Sequence, residues 1–571
     1  MKQKKTETCQ PFYETYPLFS TVSRVMEHAR NTIPQDKIIL QRAGGTGISF
    51  GEYSDTVNRV CNMLLEMGIE KNQNLGVFLS NCIEYTYLYT ALGLLGVPLV
   101  PLNPFLKGDS LQYVLNLCEI EYLVTNRELF SERIVPITNS LKNPSHLLYV
   151  DDRIETDQFK SVQDFNRYRT FDSTLRIPWD VNGSDLGAIW LTSGTTGLPK
   201  GVETTHEYLF QRTSFSANYL KIAPSDVIYF VLPMYHIPFH NWGLFMALVC
   251  GCTLVFVDWF SASRFWQDIV KYGGTIAYST GTIMAILLKN DVGPLEREGR
   301  KLLRLWAPWP LDKPEVARAR WPNTMFLEGY GLTEYSIAAM HSPDKPEIGS
   351  QGPVTPYTDL KICDPETGED LPQGQVGEIV VRSKLGPRFM MRGYYKAPKD
   401  TKNAIRNGWL YTGDAGYLDS KGFFHFSDRL KDSVRVGGEN VPSVQVEAII
   451  RQHPGIAETA VVAVQGELGP EILAHVVLKE GEELNSDEFF DYCSKHMAYF
   501  MVPRYLCIRE TMPKTANSKI QKFKLRQEGL TPDCIMRKGS VKGSMYATPR
   551  PGSSAAASMP IPLRKTAIFT R

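Results

Sequence analysis

The chain of 571 residues has almost no excess of charge: 62 Lys and Arg stand against 61 Asp and Glu, a formal net charge of +1. So even a balance gives no basic face for a polyanion, and a nucleic-acid partner is not expected. Paired cysteine spacings are missing as well. The ten cysteines, Cys9, Cys61, Cys82, Cys118, Cys250, Cys252, Cys363, Cys493, Cys507 and Cys534, are scattered without a CxxC pair. That suits a reduced, cytoplasmic protein better than a zinc centre or a disulfide frame. Long apolar runs are absent too. The longest, YLYTALGLLGVPLVPL from Tyr87 to Leu102, is interrupted by Gly96, Pro98 and Pro101. It is shorter than the ~20 residues of a membrane span, so it reads as a buried helix, a turn and a strand, and no integral membrane association is expected. The opening stretch, MKQKKTETCQPFYE, is basic but lacks the apolar core of a secretory signal.

What the chain does have is length for more than one hydrophobic core. Apolar strand-like runs alternate with helical patterns: LGVFLS, a helix from Cys82 to Leu95, PLVPL, a helix near Ser110 to Cys118, and YLVT. The pattern recurs in VIYFVLP and TLVFVD, and this alternation is the signature of parallel α/β units. After about residue 350 the texture shifts to short strands with Gly and Pro turns, as in DLKICDPETGEDLPQGQVGEIVVRS, which predicts a small β-rich subdomain. From about Lys431 it becomes mixed, with a helix over Val444 to Gln452, strands AVVAVQ and EILAHVVL, and a helix over Ser486 to His496. The expected organisation is an N-terminal extension over 1–20, a large domain over 21–430, a small α+β domain over 431–526 and an unstructured tail over 527–571.

Five motifs carry chemistry. LTSGTTGLPKG, residues 191–201, follows an apolar run and gathers glycines, hydroxyls and Lys200. It fails the Walker pattern, because Pro199 stands where the second glycine should be and Gly201 follows the lysine. The physics of an anion cradle remains: inward-turned N–H groups, hydroxyl donors and one cation. LEGYGLTE, 327–334, offers glycines for close approach of a flat heterocycle, Tyr330 to stack on it, and Glu334, a carboxylate suited to Mg²⁺ shared with phosphate oxygens. GWLYTGDAGY, 408–417, places Asp414 in a tight turn as an acceptor for paired hydroxyls. FSDRLKDSVRVGGENVPSVQVE, 426–447, carries Arg429 and a Gly-Gly loop, and PKTANSKIQKFKLR, 513–526, carries Lys519. Each alone has a plain structural reading, such as a helix-end carboxylate, a turn aspartate or a solvated lysine.

Together these motifs resemble the acyl-adenylate-forming superfamily, which includes acyl-CoA synthetases, adenylation domains and beetle luciferases, over roughly residues 20–526. FSASRFWQDIVKYGGT and DEFFDYCSKHMAYFMVPRYLCIRE are most similar to its carnitine and crotonobetaine CoA ligase branch. The resemblance implies an ATP-dependent acid–thiol ligase. A carboxylate attacks the α-phosphorus of ATP to give acyl-AMP and pyrophosphate, and the thiol of coenzyme A then displaces AMP. It implies that Thr192, Ser193, Gly194, Thr195, Thr196, Gly197 and Lys200 hold the phosphates, with Mg²⁺ at Glu334. It implies that Gly329, Tyr330 and Gly331 flank adenine, that Asp414 and Arg429 hold the ribose, and that Lys519, Thr333 and Glu334 are catalytic. The small domain would turn about Lys431 between half-reactions, replacing Lys519 with Gly437, Gly438 and Glu439 beside a pantetheine tunnel.

The acid pocket is expected to be lined by YHIPFHNW, 235–242, YSTGTIM, 278–284, and WAPWPL, 306–311. His236 serves as a wall, with Trp242, Tyr278, Trp306 and Trp309 crowding out long chains. An aromatic box of this kind suits a quaternary ammonium by cation–π attraction, and ordinary core packing is the competing reading. Trp306, Trp309 and Gln445 depart from the family's usual residues. Transfer to a carrier-protein thiol or an amine, or luciferase-like oxidation, are alternative second steps. The residues also leave room for a homo-oligomer.

Overall fold

The computed structural model describes residues 13–142, 145–192, 199–309, 314–341, 349–365, 367–429, 433–436, 439–466, 469–513, 520 and 522–538. Among these, two large sheets face each other. The first has eight strands in the order Gly393–Tyr394, Lys200–Thr205, Leu186–Thr192, Leu99–Pro101, Leu75–Phe78, Tyr122–Thr125, His146–Tyr149 and Ser161–Asp164. Its middle strands run parallel and are buried along their whole length, which is why they read as continuous apolar runs. The second has seven, in the order Met325–Phe326, Leu305–Trp309, Ile276–Thr280, Val227–Phe230, Thr253–Phe256, Ile38–Arg42 and Gly47–Ser49.

Two helices pack between the sheets and have no polar face to solvent. Helix Ile83–Leu95 is apolar nearly all round and ends on Gly96 in the left-handed conformation, which lets the chain reverse into Leu99–Pro101. Helix His206–Tyr219 is capped by Thr205, whose hydroxyl accepts from the Tyr208 amide. One apolar cluster joins both helices to the inner faces of the two sheets. The outer faces carry separate clusters, one built on Phe78, Leu123 and Ile189 and the other on Trp306, Trp321 and Phe265. The β-rich part is an antiparallel sheet of Thr358–Cys363, Gly377–Ser383, Trp409–Leu418, Ile405–Arg406 and Phe424–Arg429.

The C-terminal part has its own core. Strands Ile456–Gly466, Gly469–Leu478, Tyr505–Ile508 and Ile535–Met536 form one sheet, covered by helices Ser443–Ile450 and Ser486–His496. The expected tail is corrected here, because Ile535–Met536 pairs with Tyr505–Leu506 and extends the fold beyond Arg526. The expected N-terminal extension is corrected as well. Tyr16 and Phe19 are buried in the main core, and Asn218 accepts from the Thr15 and Tyr16 amides. No helix among the described residues is long and apolar enough to cross a membrane.

Candidate active site

The glycine-rich loop connects the antiparallel strands Leu186–Thr192 and Lys200–Thr205, whose last register pair is Thr192 with Lys200. Ser193, Gly194, Thr195, Thr196 and Gly197 lie outside the described residues. Gly201 is required by close approach, since a Cβ there would stand 2.7 Å from Ile189 Cγ2. Lys200 Nζ lies 3.0 Å from Asp400 Oδ2 and 5.0 Å from the centroid of the Tyr394 ring. The Tyr394 hydroxyl in turn donates to Glu334 Oε1 at 3.1 Å. One aromatic side chain therefore joins the lysine of the first motif to the carboxylate of the second. Nothing in the spacing of the motifs singles out Tyr394 or Asp400; only the pairing of Gly393–Tyr394 against Lys200–Thr205 brings them there.

Thr333 and Glu334 sit in a turn closed by the Leu332 amide donating to the Tyr335 carbonyl at 3.1 Å. The turn is fixed from two sides. The Tyr208 hydroxyl donates to the Thr333 carbonyl at 2.8 Å, and the Met391 amide donates to the Glu334 carbonyl at 2.8 Å. Gly329–Gly331 pairs with Ile337–Met340, and a Cβ on Gly331 would stand 2.7 Å from the Ser336 carbonyl oxygen, so only glycine fits. The Tyr330 hydroxyl donates to Asp414 Oδ2 at 2.9 Å, and its ring stacks near Phe426 at 25°. Asp414 is buried within the strand Trp409–Leu418, in register with Arg429, not in the tight turn expected. The Arg429 side chain lies outside the described residues.

Deeper in, a turn of π-helix over Phe239–Leu244 carries Trp242. Its indole N–H donates to Ser216 Oγ at 3.0 Å, and its ring stacks on Tyr278 at 5.5 Å and 16°. These two expected pocket residues are together. Trp306 is not with them. Successive residues of a strand face opposite ways, and Trp306 points to the outer face, where it meets Phe265, Trp266 and Trp321 and donates to Ser279 Oγ at 2.8 Å. It is fully buried core, and the expectation that it crowds the acid pocket is corrected. The Trp309 side chain lies outside the described residues. His240 is buried beside Trp190 and Phe245, and burial pushes its imidazole down to about 3, so it is neutral packing material.

His236 makes the link to the small domain. Its Nε2 is 3.0 Å from Glu439 Oε1, and the Tyr235 hydroxyl donates to the same oxygen at 2.9 Å. Around this point Lys107 Nζ donates to the Ser494 carbonyl at 2.6 Å, Phe105 meets Tyr499 edge-on at 4.7 Å, and Gln445 Nε2 donates to Ser110 Oγ at 3.4 Å. Gln445 thus has a part in this contact. Within the small domain Lys522 Nζ reaches Glu447 Oε1 at 2.5 Å and donates to Ser443 Oγ at 2.7 Å, tying the helix Lys522–Glu528 to the helix Ser443–Ile450. Lys519, Lys431, Gly437 and Gly438 lie outside the described residues.

A lysine and a carboxylate joined through Tyr394, and a buried aspartate held by Tyr330, beside a C-terminal part with its own core, define a class. Residues 26–395 match the AMP-binding enzyme family and residues 445–519 match the AMP-binding enzyme C-terminal domain. The chain belongs to this family, as an AMP-forming acid–thiol ligase. It is 30% identical over 489 residues to the crotonobetaine/carnitine–CoA ligase of Citrobacter koseri, covering 84% of this chain and 93% of that one. The enzyme of the same name from Proteus mirabilis is also 30% identical, over 488 residues, with the same coverage. Among solved structures, a double mutant of the o-succinylbenzoate CoA synthetase of Bacillus subtilis superposes with a TM-score of 0.74 at 25% identity, covering 88% of this chain and 97% of that one. The amide bond synthetase McbA of Marinactinospora thermotolerans shares the fold, with a TM-score of 0.78 at 23% identity over 88% and 99% of the two chains.

Proposed function

We propose that the site joins a carboxylic acid to AMP at the Lys200–Tyr394–Glu334 platform, then passes the acyl group to free coenzyme A beneath the Glu439 hairpin. The convergence of Lys200 and Glu334 on Tyr394 carries this reading. The ATP phosphates would be held by the 193–200 loop and Glu334, while the Tyr330–Asp414 pair offers a buried carboxylate to the ribose and Arg429 lies across the strand in register. Among the described residues no cluster of three or more His, Cys, Asp or Glu side chains could hold a metal. A magnesium ion would take Glu334 together with phosphate oxygens, the donor set it prefers. When bound it would neutralise the departing pyrophosphate. Lys519 supplies the remaining cation between carboxylate and α-phosphate, and the backbone of Thr333, braced by Tyr208, sets the position of that turn.

The hinge lies at Lys431, between a large domain that begins near Tyr13 and a small one that runs to Met536. The contact of Glu439 with Tyr235 and His236 supports an arrangement in which Glu439 is at the site and the thiol step is set up. Free coenzyme A is the simplest acceptor. All the described cysteines are unpaired, which fits a cytoplasmic protein. The test is product analysis: AMP and pyrophosphate should appear only with ATP, Mg²⁺ and an acid, and thioester only when coenzyme A is added. ADP and phosphate in place of AMP would overturn the reading.

A further inference from the structure

Tyr208, Arg212 and Ser216 are spaced four residues apart on the helix His206–Tyr219 and so share a face. Tyr208 binds the Thr333 carbonyl at one end, and Ser216 accepts from Trp242 at the other. Arg212 therefore stands between the Thr333–Glu334 turn and the Trp242–Tyr278 pair. It is 5% exposed, with its guanidinium carbon 5.9 Å from the Tyr208 ring centroid. With the Asn241 amide turned to satisfy its neighbours, Arg212 Nε donates to Asn241 Oδ1 at 3.2 Å. Nη1 has no acceptor among the described residues. Buried cations are ordinarily paired or fully hydrogen-bonded, and a guanidinium suits planar oxygen acceptors in particular.

We propose that Arg212 determines acid specificity by receiving an oxygen acceptor at the far end of the substrate, so that the preferred acid is a short one bearing a second carboxylate or a phenol oxygen. The inference rests on the ligase reading above and narrows it. It also sets this pocket apart from one made for a quaternary ammonium: Trp242 has a face covered by Tyr278, and a fixed cation one helical turn from the indole's partner repels a second. Acid length is bounded by the same geometry, because a single tyrosine separates Arg212 from the Thr333 carbonyl.

The experiment measures kcat/KM for acid-dependent pyrophosphate release with matched acids: butyrate, glutarate and 4-trimethylammoniobutyrate in one series, benzoate and 4-hydroxybenzoate in a second. Wild-type enzyme should favour the acceptor-bearing member of at least one series over its neutral partner by about 10- to 100-fold, as a hydrogen bond to a charged group implies. The series that responds identifies which acceptor is meant. Arg212→Met should erase that preference chiefly through KM, and Arg212→Lys should keep part of it. The wild-type ranking needs no variant to fold. A wild-type preference for the neutral or the trimethylammonium acid would overturn the proposal while leaving the ligase reading intact. Equal losses on every acid in Arg212→Met, with wild-type ranking unaltered, would make Arg212 a packing residue. Release with none of these acids would overturn the proposal and leave the ligase reading to its own product test.

Discussion

Lys522 and Arg212 are both cations taken out of water, and they keep different company. Lys522 shares Glu447 Oε1 with the Val461 amide and donates to Ser443, so every part of its neighbourhood is a built partner. Arg212 has an amide oxygen and Tyr208, with no acceptor among the described residues for Nη1. A charge that is fully answered by its own chain serves the fold. One that is answered only in part is held ready for something else, and its surroundings tell which kind of group would complete it.

The contrast can be broken or sharpened by experiment. Glu447→Leu strips Lys522 of its carboxylate, and leaving that ammonium buried should cost about 3–5 kcal/mol in denaturant unfolding of the small domain. A loss below 1 kcal/mol would mean that Lys522 simply swings into water. Lys519, three residues away in sequence, is by the proposed function the opposite case, a cation whose work would be transient. Lys519→Ala should slow acyl-AMP formation by about 10²–10³-fold in single-turnover assays, yet leave thioester formation from ready-made acyl-AMP near the parental rate. Equal losses in both steps would rule out the proposed alternation of the small domain.

His240 extends the comparison to a group that stays neutral. Burial lowers it to about 3, with His206 and Arg212 adding to the effect. Because the folded ring resists protonation, the stability it contributes is complete above about pH 6.5. As pH falls from there towards 3, that stability is lost by about 1.4 kcal/mol per unit. Denaturation midpoints of His240→Gln should therefore fall less steeply than those of the parent between pH 6.5 and 4.5, and parallel slopes would exclude the ring as the cause. The smallest effect is expected at Arg212 itself. Arg212→Met removes a buried charge with no carboxylate partner among the described residues, so thermal unfolding should shift by no more than about 1 kcal/mol in either direction. A loss as large as that of Glu447→Leu would erase the distinction between the two cations.

The alternation of strand and helix was legible because period and turn residues are local properties, and the parallel units from Leu75 to Thr125 stand as expected. The motifs were legible because close approach favours glycine, against the Ser336 backbone at Gly331 and against the Ile189 side chain at Gly201. What escaped was facing. Trp306 and Ala307 are neighbours in sequence, but one packs in the outer aromatic cluster and the other in the inner core. Pleating reverses a side chain with every residue, so a motif such as WAPWPL does not say which tryptophan meets the pocket. Asp414 escaped for a related reason, since glycines on either side suggested a turn where the chain bulges within a strand. Tyr394, Asp400 and Arg212 lie in no motif, and only long-range pairing gives them their places.

The shared oxygen of Glu439 has a thermodynamic corollary. Tyr235 and His236, which hold it, lead within a few residues into the π-helical turn that bears Trp242. The small domain and the proposed acid pocket thus bear on one short stretch of backbone. By linkage, whatever factor the docked small domain applies to the affinity for the acid, the acid applies to the docking equilibrium. Two acids that differ only in how they press on Trp242 would then populate the docked arrangement to different extents, and a substrate's shape would be readable as a domain position before any bond is made.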